Sequence, residues 1–96
     1  MKKQLVLVSL VACAFAMPAA AVTQEFCADY AQTAVDQYQQ AVKSPDCQPI
    51  IQQNQLRWQP IYQNHYNGCK MLGRTVSESE QEARRQAIAQ CVHDAN

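Results

Sequence analysis

Residues 24–43 read QEFCADYAQTAVDQYQQAVK, and apolar side chains recur in this stretch with the spacing of one face of an α-helix. These residues are Phe26, Cys27, Tyr30, Ala31, Ala34, Val35, Tyr38, Ala41 and Val42. Steps of three, four and seven residues predict a helix with one buried stripe. Thr23, Glu25 and Asp29 suit its N-terminal end, and Ser44-Pro45 ends it because a residue before proline avoids the helical region.

A second helix is predicted to begin at Pro60, since proline is tolerated in a first turn. Its apolar side comprises Ile61, Tyr62, His65, Tyr66, Cys69 and Leu72. Gly68 would mark a close helix contact, and Gly73 suits a C-terminal cap. Residues 45–59 contain Pro45 and Pro49 and no clean period, so we predict a loop there, with room for one helical turn at 50–56.

The third helix has the strongest predicted start, because Ser77 followed by Glu80 matches a capping box. Its narrow apolar stripe comprises Ala83, Ala87, Ile88, Cys91 and Ala95. No segment alternates apolar and polar residues as a half-buried strand would. The sequence therefore predicts an all-α fold, a small antiparallel three-helix bundle.

Four cysteines, Cys27, Cys47, Cys69 and Cys91, are separated by 19, 21 and 21 residues. Zinc sites usually place ligands in close pairs such as C-x2-C, and redox sites use C-x-x-C. Neither spacing occurs, so we predict two disulfides and no metal site. Such crosslinks are typical of small exported domains that bury little apolar area.

The three-helix layout restricts the pairing. Cys27 and Cys69 lie at one end of the predicted bundle, whereas Cys47 and Cys91 lie at the other. Because a bridge needs Cα atoms within about 7 Å, this layout favours Cys27–Cys69 and Cys47–Cys91 among the three possible connectivities.

The N-terminus has the pattern of a secretory signal peptide. Lys2 and Lys3 precede an apolar run, and small residues at 19–21 suit signal peptidase. We predict cleavage after residue 21, a single domain at 22–96, a periplasmic or secreted location and no integral membrane segment after cleavage. Two alternatives remain open, an uncleaved anchor and a lipoprotein attached through Cys13.

The predicted mature chain is mildly acidic. Residues 22–96 hold six basic and eight acidic side chains, which gives a formal net charge of −2. Nucleic-acid binding requires clustered Lys and Arg, so we do not expect nucleic acid as a partner.

Three strings place this chain near a known group of sequences. They are CADYAQTAVDQ at 27–37, Arg57-Trp58 and HYNGC at 65–69. The chain resembles small exported helical proteins of proteobacteria with the pattern Cys-x-x-Tyr-Ala-x-x-Ala-Val-x-Gln, Arg-Trp and His-x-x-x-Cys. It departs at Gly68, where an aromatic residue is expected. The resemblance implies an exported helical domain and assigns no catalytic residue.

No catalytic or cofactor motif is present in the sequence. Its only glycines are Gly68 and Gly73, which excludes a glycine-rich phosphate loop. His65 and His93 lack a metal-binding spacing. We therefore predict a protein that is not an enzyme, although a small redox protein with a reactive thiol remains a third hypothesis.

An aromatic and basic group is the best candidate for a partner-binding surface, with Trp58 alternatively filling the core. Its members are Arg57, Trp58, Tyr62, His65 and Tyr66. These residue types are common at binding hot spots. We predict a protein-binding module of inhibitor, immunity or accessory type, with a structural or chaperone-like envelope protein as the alternative.

Overall fold

The computed structural model describes residues 22–92, where helices are joined by short irregular segments. Helix α1 is Gln24–Val42, a 3-10 helix covers Pro45–Cys47, α2 is Gln48–Gln53 and α3 is Tyr62–Cys91. The predicted signal peptide, Cys13, His93 and Ala95 lie outside the described residues.

Helix α1 forms as its sequence predicts. The Thr23 hydroxyl accepts a hydrogen bond from the backbone N–H of Phe26 at 3.0 Å, which caps the first turn. The buried residues of α1 are Cys27, Tyr30, Ala31, Ala34 and Ala41. Three of these are alanines, so neighbouring helices can approach α1 closely along this stripe.

Helix α3 is interrupted at Gly73, where φ is +91° and ψ is 176°. Before this glycine, His65 contacts Tyr30 and Cys69 is bonded to Cys27, so the segment 62–72 runs antiparallel to α1. After it, Arg74 lies over the Phe26 ring and Cys91 is bonded to Cys47, so the segment 74–91 runs parallel to α1. Gly73 therefore reverses the chain, and the fold is the predicted three-helix bundle.

The predicted start of the third helix at Ser77 was wrong. Helical backbone resumes directly after Gly73, so Ser77 lies inside the helix and is buried. The Glu80 carboxylate accepts hydrogen bonds from Arg57 and does not cap a helix. A single glycine with positive φ makes the reversal, so no loop separates the helical segments at 74–76.

Both predicted disulfides are present. Cys27 is bonded to Cys69, with Cα atoms 5.6 Å apart, and Cys47 is bonded to Cys91, with Cα atoms 5.1 Å apart. Their sequence separations are 42 and 44 residues. Loops of this length make each bridge worth about 4 kcal/mol in the chain-entropy account.

Each disulfide belongs to its own hydrophobic cluster. One cluster comprises Ala41, Cys47, Trp58, Ile88 and Cys91. The other comprises Cys27, Tyr30 and Cys69, with Val22, Phe26 and Tyr66 packed against it. The apolar core thus lies mainly at the two ends, and the polar side chains of His65, Ser77 and Arg84 are buried along the helices.

The connection between the first two long helices differs from its prediction. The predicted turn at 50–56 is present in part, because α2 covers 50–53, but helical structure begins earlier. Pro45 and Pro49 each occupy a first helical turn, where their missing N–H costs nothing. The segment after α2 is irregular through Ile61, and α3 begins at Tyr62, two residues later than predicted.

The predicted apolar side of the second helix was only partly right. His65 and Cys69 are buried, whereas Ile61, Tyr62 and Leu72 are exposed. The prediction that Gly68 marks a close helix contact was wrong. A Cβ atom at Gly68 would meet nothing within 4 Å, because this residue faces an open cleft.

Candidate functional site

One cleft among the described residues has a volume of about 420 Å³ and is called here the central cleft. The residues that line it are Tyr30, Asn54, Leu56, Arg57, Gln59, Asn64, His65, Gly68, Cys69, Leu72, Val76, Ser77, Glu80 and Arg84. They come from α1, from both halves of α3 and from the irregular segment 54–61. The cleft therefore exists because Gly73 turns α3 back on itself.

Apolar side chains surround the mouth of the central cleft. Leu56 is 82% exposed, Leu72 is 61% exposed and Val76 is 41% exposed. They are contributed by different parts of the chain, and the bundle brings them to one opening. We refer to these three side chains as the rim.

Arg84 is the most unusual residue of the cleft, because its side chain is charged and only 1% exposed. Its Nε donates to Oε1 of Gln37 at 2.7 Å, and its Nη1 donates to the carbonyl of Arg57 at 3.2 Å. Its guanidinium carbon lies 5.2 Å from the centre of the Tyr30 ring. Nη2 is buried and has no hydrogen-bond partner among residues 22–92.

Gln37 holds Arg84 in place from α1. While its Oε1 accepts from Arg84, its Nε2 donates to the carbonyl of Gln81 at 3.1 Å. Both ends of the amide are therefore used, and both contacts reach the last part of α3. This arrangement fixes the guanidinium relative to the two parallel helical segments.

Arg57 and Glu80 form a bidentate ion pair at the edge of the cleft, with N–O distances of 2.8 and 3.2 Å. The hydrogen bond from Arg57 lowers the pKa of Glu80 against a desolvation penalty, and weaker Coulomb attraction to Arg57 and Arg84 lowers it further. The same hydrogen bond raises the pKa of Arg57. Both groups are therefore charged at neutral pH.

His65 lies on the cleft wall and is neutral at neutral pH. Burial lowers its pKa, and repulsion from Arg84 acts in the same direction, against a hydrogen bond to the Gln59 backbone that raises it. Its Nε2 lies 2.8 Å from the Gln59 carbonyl oxygen, which can only accept, so Nε2 carries the proton. The ring also meets the edge of Tyr30, with centroids 6.3 Å apart.

The five predicted partner-binding residues do not form one surface. Trp58 is buried in the Cys47–Cys91 cluster. Arg57 and His65 line the central cleft. Tyr62 is 38% exposed and stacks on Tyr66, with ring centroids 6.2 Å apart, outside the residues that line the cleft.

Arg84 was missed by the sequence prediction, which did not include it in the apolar stripe of the third helix. The buried positions of this segment are Ser77, Arg84, Ile88 and Cys91. Ile88 and Cys91 belong to the predicted stripe, whereas the predicted Ala83 and Ala87 are only partly buried. The four buried positions follow the spacing i, i+7, i+11 and i+14. A charged residue at the centre of that pattern was the signal that could have identified the site.

The cleft presents two guanidinium groups, one carboxylate and a neutral imidazole to a bound group. Cys69, four residues from His65, is bonded to Cys27, so no free thiol lies beside this histidine. Within residues 22–92, no group of three or more His, Cys, Asp or Glu side chains could hold a metal ion. In the same range, no helix has the length and apolar character needed to span a membrane.

Comparisons with protein-family models, curated proteins and solved structures gave no significant match for this chain. The two disulfides are typical of a protein that folds in an oxidising compartment outside the cytosol.

Proposed function

We propose that this chain is an exported, non-catalytic binding module that recognises another protein of the bacterial envelope or secreted fraction through the central cleft. An inhibitor, an immunity protein or an accessory subunit would act in this way. The observation that carries the proposal is the open cleft with its apolar rim, held between two disulfide-linked ends.

The dimensions and lining of the cleft suit recognition. A volume of about 420 Å³ lies within the range of about 300–1,000 Å³ that is typical of ligand-binding clefts. Exposed Leu56, Leu72 and Val76 surround polar and charged groups. Apolar contacts supply affinity at such sites, and a few placed polar groups fix the orientation of the bound group.

The occupant that best fits this surface is a segment of a partner protein that presents an apolar side chain next to negative charge. Two guanidinium groups, Arg57 and Arg84, and one carboxylate, Glu80, line the cleft, so with His65 neutral its net charge is +1. The predicted mature chain around it carries −2. An apolar group with adjacent negative charge complements both the rim and this local cation.

The disulfide framework favours binding by lowering its entropic cost. Cys69 lines the cleft and is bonded to Cys27 in α1, which fixes the helical wall that carries His65. Cys91 is bonded to Cys47 and holds the end of the helical segment that carries Arg84. A site that is already formed loses less conformational freedom when a partner binds.

Affinity purification with paired variants tests the proposal. The full-length chain with a C-terminal tag would be expressed in its native host and recovered with its disulfides intact. The test variant, Leu56→Asn with Leu72→Asn, makes the rim polar without adding charge. The control is Met71→Gln, because Met71 is 82% exposed and does not line the cleft.

We expect one dominant protein to be recovered with the unchanged chain and with Met71→Gln, and lost with the rim variant. With that partner purified, calorimetry should show at least tenfold weaker binding for the rim variant. Each leucine that the partner covers contributes about 1.5–3 kcal/mol when it is fully buried. Recovery of no partner, or equal recovery by all three chains, would contradict the proposal. Many unrelated proteins in equal amounts would support the chaperone-like alternative instead.

A further inference from the structure

We infer that the central cleft contains a carboxylate subsite in which the Arg84 guanidinium pairs with an acidic group of the bound partner. This inference rests on the proposed function and names the group that the partner must present. It accounts for a buried cation whose hydrogen-bond partners within the described residues are all neutral.

Arg84 has unused hydrogen-bonding capacity. A guanidinium offers five N–H donors, and its two hydrogen bonds, to the Gln37 amide and the Arg57 carbonyl, engage Nε and Nη1. Nη2 carries two more donors and has no acceptor among residues 22–92. Buried charges are normally paired, because an uncompensated charge away from water is strongly unfavourable.

The Glu80 carboxylate, which could otherwise compensate Arg84, already forms an ion pair with Arg57. Glu80 lines the same cleft, but its two oxygens accept from Nε and Nη2 of Arg57. The Tyr30 ring, 5.2 Å from the Arg84 guanidinium carbon, compensates part of the charge through its π face and offers no lone-pair acceptor to Nη2. The cleft therefore keeps a net charge of +1.

A single carboxylate matches this charge. A monovalent anion brings the cleft to neutrality, whereas a phosphate dianion would leave it negative and would lose more hydration on entry. Guanidinium and carboxylate are also both planar, so two parallel N–H···O bonds can form between them. The apolar rim then favours a carboxylate that has an apolar group beside it.

The carboxylate reaches Nη2 only with a small movement of the cleft wall, because this atom has almost no contact with solvent. One wall is the irregular segment 54–61, which contributes Asn54, Leu56, Arg57 and Gln59. Segments outside regular structure adjust more readily than helices do. We therefore expect binding to shift the backbone resonances of 54–61 more than those of α1.

A matched pair of probes tests the subsite directly. N-acetyl-leucine and N-acetyl-leucinamide share an apolar side chain and differ only in the carboxylate. Each would be titrated into the full-length chain with its disulfides intact, while NMR follows the backbone and the Nε–Hε resonance of Arg84. We expect saturable binding of the acid, at least about tenfold tighter than that of the amide. A hydrogen bond between charged groups is strong enough to account for a tenfold difference in affinity.

Two neighbouring arginines provide matched variants. Arg84→Met should abolish the preference for the acid over the amide. Arg85→Met should keep it, because Arg85 is exposed and pairs with Glu82 on the outer face of the same helix. Circular dichroism would check the fold of both variants. If Arg84→Met does not fold, the acid–amide comparison on the unchanged chain decides the question alone.

Several outcomes would overturn the inference. One is equal binding of the acid and the amide, or no saturable binding of either. Another is a preference for the acid that persists in Arg84→Met. Inorganic phosphate that binds more tightly than N-acetyl-leucine would show that the site is not selective for carboxylates.

The two proposals can fail separately. A partner that loses affinity for the rim variant and binds Arg84→Met unchanged would leave the proposed function standing and contradict the subsite. Selective binding of the acid with no protein partner recovered would keep the subsite and contradict the function. Octanoate that binds over about 100-fold more tightly than N-acetyl-leucine would assign a lipid-like ligand and overturn the assignment to a protein partner.

Discussion

The Cys47–Cys91 end of the bundle and the central cleft are both built on α1 and α3, yet they differ in what they bury. At the end, a disulfide packs with Trp58, Ala41 and Ile88. In the cleft, the buried side chains of His65, Ser77 and Arg84 are polar. The end is stabilised by apolar contact and a crosslink. The cleft keeps a charge and unused hydrogen-bond donors, which do not stabilise the fold and are suited to recognition.

The largest expected effect tests the apolar end of the bundle. Trp58→Ala should lower the free energy of unfolding by about 3–5 kcal/mol, because it leaves a cavity where a buried indole contacts the disulfide cluster. Urea unfolding followed by circular dichroism measures this change. Tyr62→Ala is the control, since its ring is exposed and should cost far less. Equal losses for the two variants would mean that Trp58 is not part of the core.

The reversal that creates the cleft is tested by the two glycines. Gly73 has a φ of +91°, so Gly73→Ala should cost about 1–3 kcal/mol although a Cβ atom there meets nothing within 4 Å. Gly68 is also open but has helical backbone, so Gly68→Ala should stabilise the fold by about 0.5–1 kcal/mol. Thermal unfolding of both variants checks the signs. A stabilising Gly73→Ala would contradict the reversal at this residue.

The ends of the bundle could be predicted from the sequence, because cysteine spacing and helical periodicity specify them directly. Cys27–Cys69 and Cys47–Cys91 followed from the order of helices alone. The cleft could not be predicted, because it depends on one backbone conformation at Gly73. The Ser77–Glu80 capping box suggested a later start for the last helix, and a bidentate contact with Arg57 recruits Glu80 instead. Arg84 was missed because a charged residue on a helix is usually exposed.

Mild acid should weaken the cleft before it affects the ends. Burial lowers the pKa of His65 in the folded state, so on acidification the unfolded chain takes up this proton first. The contribution of neutral His65 to stability is therefore present above the ordinary histidine pKa of about 6.5. It is lost as the pH falls through the pKa of His65 in the folded state. Glu80, whose pKa is lowered mainly by Arg57, loses its contribution at more acidic pH.

Urea unfolding at several pH values between 7 and 5 measures this loss. His65→Gln keeps a donor for the Gln59 carbonyl and does not titrate, so it should flatten the dependence. His93→Gln, at the other histidine of the chain, should leave the dependence intact. If His93→Gln removed the dependence and His65→Gln did not, His65 would not be the group that is titrated.

The smallest expected change in stability is at Arg84, the buried charge that distinguishes the central cleft from the apolar Cys47–Cys91 end. Arg84→Met removes a buried charge and keeps an unbranched apolar side chain. It also leaves the Gln37 amide oxygen and the Arg57 carbonyl without this donor. The relief of desolvation and the two lost hydrogen bonds oppose each other, so the net change should stay within about 1 kcal/mol.

Urea unfolding would check this value beside Arg84→Ala, which also opens a cavity and should cost about 2–4 kcal/mol. A loss from Arg84→Met as large as that from Trp58→Ala would show that the guanidinium is a structural element, as Trp58 is at the end of the bundle.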